Sequence, residues 1–343
     1  MQNTRIYQQR GPDCSIPPTD AHTVIWYWVY SFLNQTIITE FILLGFGEHP
    51  QLQILLFLLF LVIYVVSITG NLLIIMLVVT DRNLHTPMYF FLGNLACLEI
   101  CYTSVFLPRM LASFLTGDKT ISFSGCFVQL YVFGLLSPAE NCILSAMSYD
   151  RYLAICKPLQ YRLQMNNKFC VSLVVGSWVS GWFCASVVAA WMSQLTYCGF
   201  NGIDHFFCDF IPLSKLTCSD ISLLIAVAFM LSFVFTFPLF LLTIASYIFI
   251  ILAILRIPSA TGRQKTFSTC SSHLIVVIIF YTSIMIVYLL PESLVMKSSL
   301  KVFSLVYTVM TPMVNPLIYS LRNKEVKEAL RKLVKKFRSS SSF

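Results

Sequence analysis

Residues 131–156 read YVFGLLSPAENCILSAMSYDRYLAIC. The first nineteen carry a single charge, Glu140, and run straight into adjacent Asp150 and Arg151. The apolar positions do not alternate with period two, so a β-barrel strand is excluded. A helix crossing a bilayer needs about 20 such residues. The charged pair then marks where this segment leaves the lipid.

Around this stretch, the apolar runs fall at 52–79, 88–112, 123–150, 170–192, 220–254, 268–290 and 302–321. The chain of 343 residues is 57% hydrophobic and 11% charged, against about a quarter charged in soluble domains. One water-facing core cannot hide that much apolar surface. The expectation is an all-α membrane protein, a seven-transmembrane helix bundle over 51–322. Residues 1–50 form an N-terminal segment, with 1–33 a poorly ordered extension, and 323–343 form a tail. The run VIWYWVYSFL at 24–33 is too short to span. Seven spans do not divide into two equal inverted halves, as many transporters do.

Lys and Arg set the orientation. With the N-terminus outside, sixteen fall on the inner segments and tail and seven on the outer ones. The basic residues are scattered over membrane-flanking loops, which argues against nucleic acid as a partner. The one N-x-S/T acceptor, Asn34, precedes the first span on the expected outer face. Cys126, Cys198, Cys208 and Cys218 share that face, where disulfides survive; spacing leaves three pairings open. Cys97, Cys101, Cys142, Cys184, Cys156, Cys170 and Cys270 fall in or near the spans and read as reduced packing residues.

Ionisable groups inside a span are costly and mark functional candidates. Glu140 lies eleven residues before Arg151, about 16 Å from that helix end, and Glu99 reaches similar depth on the second span. With Asn71 and Asn315 they form a deep polar site for a proton or a cation such as Na+, since two close carboxylates do not both ionise uncompensated. A polar packing core is the plainer reading. On the third helix Phe133, Ser137, Glu140, Leu144, Met147 and Arg151 follow one face, which puts Arg151 at the inner mouth with Asp150 beside it, an arrangement suited to an ionic lock.

These residues belong to an ordered series: GN at 70–71, LHTPMYFFLGNLACLEI at 84–100, MSYDRYLAICKPLQY at 147–161, SY at 246–247, KTFSTCSSHL at 265–274, FYTS at 280–283 and PMVNPLIYSLRN at 312–323. Over about 34–338 the chain resembles the olfactory (odorant) receptors of the terrestrial type, a branch of the rhodopsin-like G protein-coupled receptors. It departs in Ser148, where the family has Ala, and in Glu99, where Asp is commoner. Residues 1–33 have no counterpart in the family.

The resemblance implies a plasma-membrane receptor that binds a small volatile odorant and activates the olfactory stimulatory G protein, raising cyclic AMP. Receptor-trafficking chaperones and membrane lipid are further implied partners. It implies the pairs Cys126–Cys208 and Cys198–Cys218. It makes Asp150, Arg151, Tyr152, Tyr247 and Tyr319 the coupling switch, and Tyr281 the switch residue beneath the ligand. The tail, with Val326, Leu330, Leu333, Val334 and Phe337 between basic residues, reads as a short amphipathic cytoplasmic helix.

Outward from Glu140 and Tyr281, helical spacing predicts a mostly apolar pocket of Phe133, Gly134, Ser137, Ser232, Phe235, Ile284, Met285, Tyr288, Leu305 and Thr308. No acid lies near Phe133 in sequence, so no salt bridge to an amine is expected. Enzymes are poorly matched: there is no G-x-S-x-G or H-E-x-x-H, and Cys270 with His273 offers only two metal ligands. Residues 302–321 hold no Schiff-base Lys for a retinal pump. The alternative is an ion- or proton-coupled transporter using Glu99 and Glu140.

Overall fold

The structure, a computed structural model, describes residues 38–46, 50–198, 201–288 and 297–340. Asn34 and the 1–33 extension lie outside them. The helices are α1 Pro50–Thr80, α2 Pro87–Thr116, α3 Phe123–Cys156, α4 Pro158–Gln164, α5 Asn167–Met192, α6 Phe210–Ser214, α7 Ser222–Leu255 and α8 Ala260–Tyr288. The last span is α9 Lys297–Leu305, a π turn at Val306–Met310 and α10 Thr311–Arg322; the tail helix α11 follows at Lys324–Ser340. Six spans are long and apolar enough to cross a membrane, and α8 adds a shorter apolar stretch at His273–Tyr288. This is a seven-helix bundle, with α4 and α6 as short connecting helices.

Local chemistry sets the boundaries. Pro87 and Pro158 open α2 and α4 at positions where no N–H is needed. The side chains of Ser122 and Asn166 accept from Gly125 N–H at 3.1 Å and Phe169 N–H at 2.9 Å, capping α3 and α5. Gly117 ends α2 with φ 74°, a conformation that favours glycine. The third helix outruns its expected end by six residues, so Asp150 and Arg151 sit within its last two turns. Apolar residues left exposed, such as Ile54, Leu55 and Val62 on α1 and Phe229 and Phe233 on α7, form the lipid-facing surface.

The third and fourth spans approach closely at Gly181, where an added Cβ would collide with the Leu135 carbonyl oxygen. On the first span, a Cβ at Gly70 would stand 3.0 Å from the Pro316 ring.

The all-α expectation misses a small sheet at the end holding the disulfides. β1 (Glu40–Leu43) lies between β2 (Thr120–Ser122), antiparallel with Phe41 opposite Ile121, and β3 (Gly202–Ile203), parallel with Ile42 opposite Gly202. Phe41 is fully buried, 5.8 Å from the Phe123 ring and 5.7 Å from Tyr197, in a second core around Cys126 and Cys208.

Candidate functional site

Below that sheet the helices pack an aromatic cluster that walls the candidate chamber. The Phe133 ring centroid lies 6.0 Å from Tyr102, 6.2 Å from Phe106, 5.4 Å from Phe207 and 5.8 Å from Tyr307. Tyr288 donates to Asp209 Oδ2 at 2.9 Å, and its oxygen is 3.0 Å from the Tyr307 hydroxyl. Phe210 N–H donates to Asp209 Oδ1 at 2.7 Å. Asp209 is 2% exposed, and burial outweighs these hydrogen bonds, pushing its carboxyl up to about 6.

This corrects the expectation of a pocket without an acid. Asp209 follows Cys208, and the Cys126–Cys208 disulfide draws the loop back over the start of α3. The signal was local: an acid directly beside a cysteine of the outer set. In the same loop His205 is buried, its ring stacked on Phe206 at 4.5 Å, and burial with the nearby Lys301 cation lowers its pKa to about 3. Lys301 donates to Asp204 at 2.5 Å and to the Gly45 carbonyl at 3.0 Å, joining the last span to the loop and the strand segment.

The remaining pocket candidates separate. Ile284 and Leu305 pack against the main core, as does Tyr288, while Met285 is half-buried. Ser137 is half-buried, and the Thr308 hydroxyl bonds the Ser304 carbonyl of its own helix at 2.7 Å. Two fall away from the chamber. The Cβ direction of Gly134 points at Ala185 of the fourth span, 3.5 Å away, because that helix crosses α3 there. Ser232 is exposed on α7.

Beneath the chamber, Tyr281 donates to Asn141 Oδ1 at 2.5 Å. The Asn141 amide in turn donates to the Phe235 carbonyl at 3.1 Å, and Ser145 to the Leu239 carbonyl at 3.3 Å. Pro238 lies between those two positions in α7 and lacks the N–H that would bond the Val234 carbonyl. Asn141 escaped the sequence reading, although it adjoins Glu140.

Deeper still, Asn71, Glu99, Glu140 and Asn315 are all buried. Asn315 Nδ2 donates to Glu99 Oε1, and Asn71 Nδ2 to the Pro312 carbonyl at 3.1 Å. Four buried oxygens there lack a partner: Ser67 Oγ, Glu99 Oε2, Glu140 Oε1 and Asn315 Oδ1. An all-oxygen set of this kind suits a hard cation, and a carboxyl proton could equally serve it.

At the tail end, Arg151 donates to Asp150 Oδ2 through NH2 at 2.6 Å and Nε at 3.0 Å, while Tyr161 of α4 donates to Oδ1 at 2.8 Å. Tyr247 and His273 Nδ1 are 2.5 Å apart. Tyr319 is buried with its hydroxyl unpartnered, and Tyr152 is half-buried, its ring 5.8 Å from Phe249. Cys126 is bonded to Cys208 and Cys198 to Cys218. Cys97 and Cys101 are exposed on α2 and so are not packing residues, contrary to expectation.

The family model described as "Olfactory receptor" matches residues 60–336. The chain belongs to the olfactory receptor family. It is 49% identical to olfactory receptor 6B9 of Mus musculus over 302 residues, covering 88% of this chain and 95% of that one. It is 48% identical to human olfactory receptor 10A7 over 301 residues, with 88% and 95% covered, and 47% identical to human olfactory receptor 6C3 over 304 residues, with 89% and 98% covered. As in its relatives, the apolar helices make this olfactory receptor a multi-pass membrane protein.

Proposed function

We propose that this receptor binds a small, mostly apolar volatile molecule in the aromatic chamber and signals through the olfactory stimulatory G protein, raising cyclic AMP. The supporting observation is a stack of sites along the bundle: the chamber closed by Tyr288, Tyr307 and Asp209, then Tyr281 on Asn141, the deep acids, and Arg151 paired with Asp150. In this reading the disulfide end is extracellular, Asn34 carries a glycan, and α11 lies on the cytoplasmic face of the plasma membrane. No residue is assigned a catalytic role.

Phe133, Ile284, Met285 and Leu305 size the ligand; Tyr288 orients a carbonyl or hydroxyl through its bond network. Shape discrimination of this type is worth about 1–3 kcal/mol per methylene. Ligand contact shifts Tyr281, the α7 carbonyls held by Asn141 shift with it, and Arg151 leaves Asp150 to admit the G protein, with Tyr247 and Tyr319 repacking. Glu99, Glu140, Asn71 and Asn315 would hold Na+ or a proton that favours one packing over the other. A transporter reading is not favoured, because the relatives are receptors.

The test is cyclic AMP in cells expressing the chain with the olfactory G protein, across a broad odorant panel, with Arg151→Ala beside it. A dose-dependent response lost in the mutant at equal surface level supports the reading. A response retained by Arg151→Ala refutes the switch.

A further inference from the structure

The tail helix is tied to the bundle at two polar points. Asn323, extended between α10 and α11, caps α11: its Oδ1 accepts from Glu325 N–H at 2.9 Å and Val326 N–H at 3.4 Å. Its amide donates to the Tyr89 hydroxyl at 2.7 Å, and that hydroxyl donates to Glu325 Oε2 at 2.6 Å. Tyr89 belongs to the first turn of α2 and is 4% exposed. Farther along, Lys332 pairs with Asp81 at 3.1 Å. Asp81 caps the 3-10 turn Arg82–Leu84 between the first two spans, accepting from Asn83 N–H at 3.0 Å. Val326 and Ala329 are buried between these anchors.

Val326 and Ala329 of α11 are buried and Leu330 and Leu333 pack against the main core, so one apolar face seats the helix and the polar anchors fix its register. The exposed Lys332–Asp81 pair contributes little. The Tyr89 hydroxyl is different: it is buried, it bonds the Glu325 carboxylate of α11, and it accepts from the α11 cap Asn323 at the same time. Tyr319 stands one turn ahead of Asn323 on α10, so a rotation of the seventh span there moves the Asn323 grip.

We propose that Tyr89 is a positioning residue whose hydroxyl, shared by Asn323 and Glu325, latches α11 onto the corner between the first and second spans and so sets how the tail end meets its intracellular partner. The last clause rests on the receptor reading; the latch itself does not.

Hydrogen–deuterium exchange of the purified full chain, followed by mass spectrometry over residues 324–340, reads the latch without ligand or G protein. Tyr89→Phe and Glu325→Leu should each speed α11 exchange about tenfold, as expected for loss of a hydrogen bond to a charged group. The double variant should exchange no faster than either single one. Glu325→Gln keeps an acceptor oxygen and should stay within about twofold of the parent chain. Exchange in α3 and α5 should not change. Unaltered α11 exchange in Tyr89→Phe, or acceleration spread through the bundle, overturns the latch.

In cells, Tyr89→Phe should lower the maximal cyclic AMP response about two- to tenfold at equal surface level, without moving the half-maximal odorant concentration. Faster α11 exchange with an unchanged response overturns the coupling role. A parent chain that never raises cyclic AMP counts against the receptor reading, and the latch then stands or falls on the exchange result alone.

Discussion

Replacing Asp209 with an asparagine should make the receptor more stable at neutral pH. Burial raises the Asp209 carboxyl from 3.8 to about 6, which at 1.36 kcal/mol per pKa unit is about 3 kcal/mol against the charged form. Over that window the folded chain keeps a proton that the unfolded chain releases. Stability therefore falls as pH rises from about 4 to about 6, and the whole cost is in place above about pH 6. The groups facing Asp209 are the Tyr288 and Tyr307 hydroxyls and the Phe210 N–H. His205, lowered to about 3, stays neutral throughout the window. The Asp209→Asn side chain would keep an oxygen for Phe210 N–H, donate its amide N–H to the Tyr288 hydroxyl, and remove the buried charge. The assay is thermal unfolding of purified protein in detergent at about pH 5 and about pH 7.5. The parent chain should melt a few degrees higher at the lower pH, and Asp209→Asn should show a shallower slope and melt above the parent at both pH values, the more so at about pH 7.5. An undiminished pH slope in Asp209→Asn would refute the assignment of that slope to this carboxyl.

Gly181→Ala forces a Cβ into the Leu135 carbonyl and should cost about 1–3 kcal/mol or more, read as lost surface expression, while Gly176→Ala, with open space around it, should be silent. Cys126→Ser opens a link across 82 residues and should cost about 4 kcal/mol in thermal or denaturant unfolding. Asn141→Ala leaves the Tyr281 hydroxyl and the Phe235 carbonyl without their partner, a loss of about 1–3 kcal/mol for each buried group. A double-mutant cycle with Tyr281→Phe should therefore show coupling in the basal cyclic AMP level; additive effects would deny the joint.

The spans were legible because lipid makes unbroken apolar helices obligatory, and helix periodicity carried Phe133 to Arg151 along one face of α3. What periodicity could not supply was depth contributed by loops. Asp209 reaches the chamber because a disulfide ties its neighbour to α3, and the β1 strand is placed by pairing with two distant loops. Neither arrangement leaves a repeat in the sequence. Gly134 meets the fourth span for a related reason: helical spacing gives a face, but the neighbour that meets it depends on how α3 crosses that span.

The bundle's buried polar groups are not equally satisfied, and the difference has a direction. In the chamber Tyr288 bonds both Asp209 and Tyr307, leaving the His205 ring as the exception among the described residues. From Thr243 through Glu99, Glu140 and Asn315 to His273 and Tyr319, each carries a buried atom with no partner. Every such atom costs about 1–3 kcal/mol in a low-dielectric interior. These groups come from the second, third, fifth, sixth and seventh spans, so no single side-chain rotation can relieve them together; a shift of helices, or a bound proton or cation, can. In the proposed receptor reading, a ligand at the chamber would act on the helices around Arg151 through these groups.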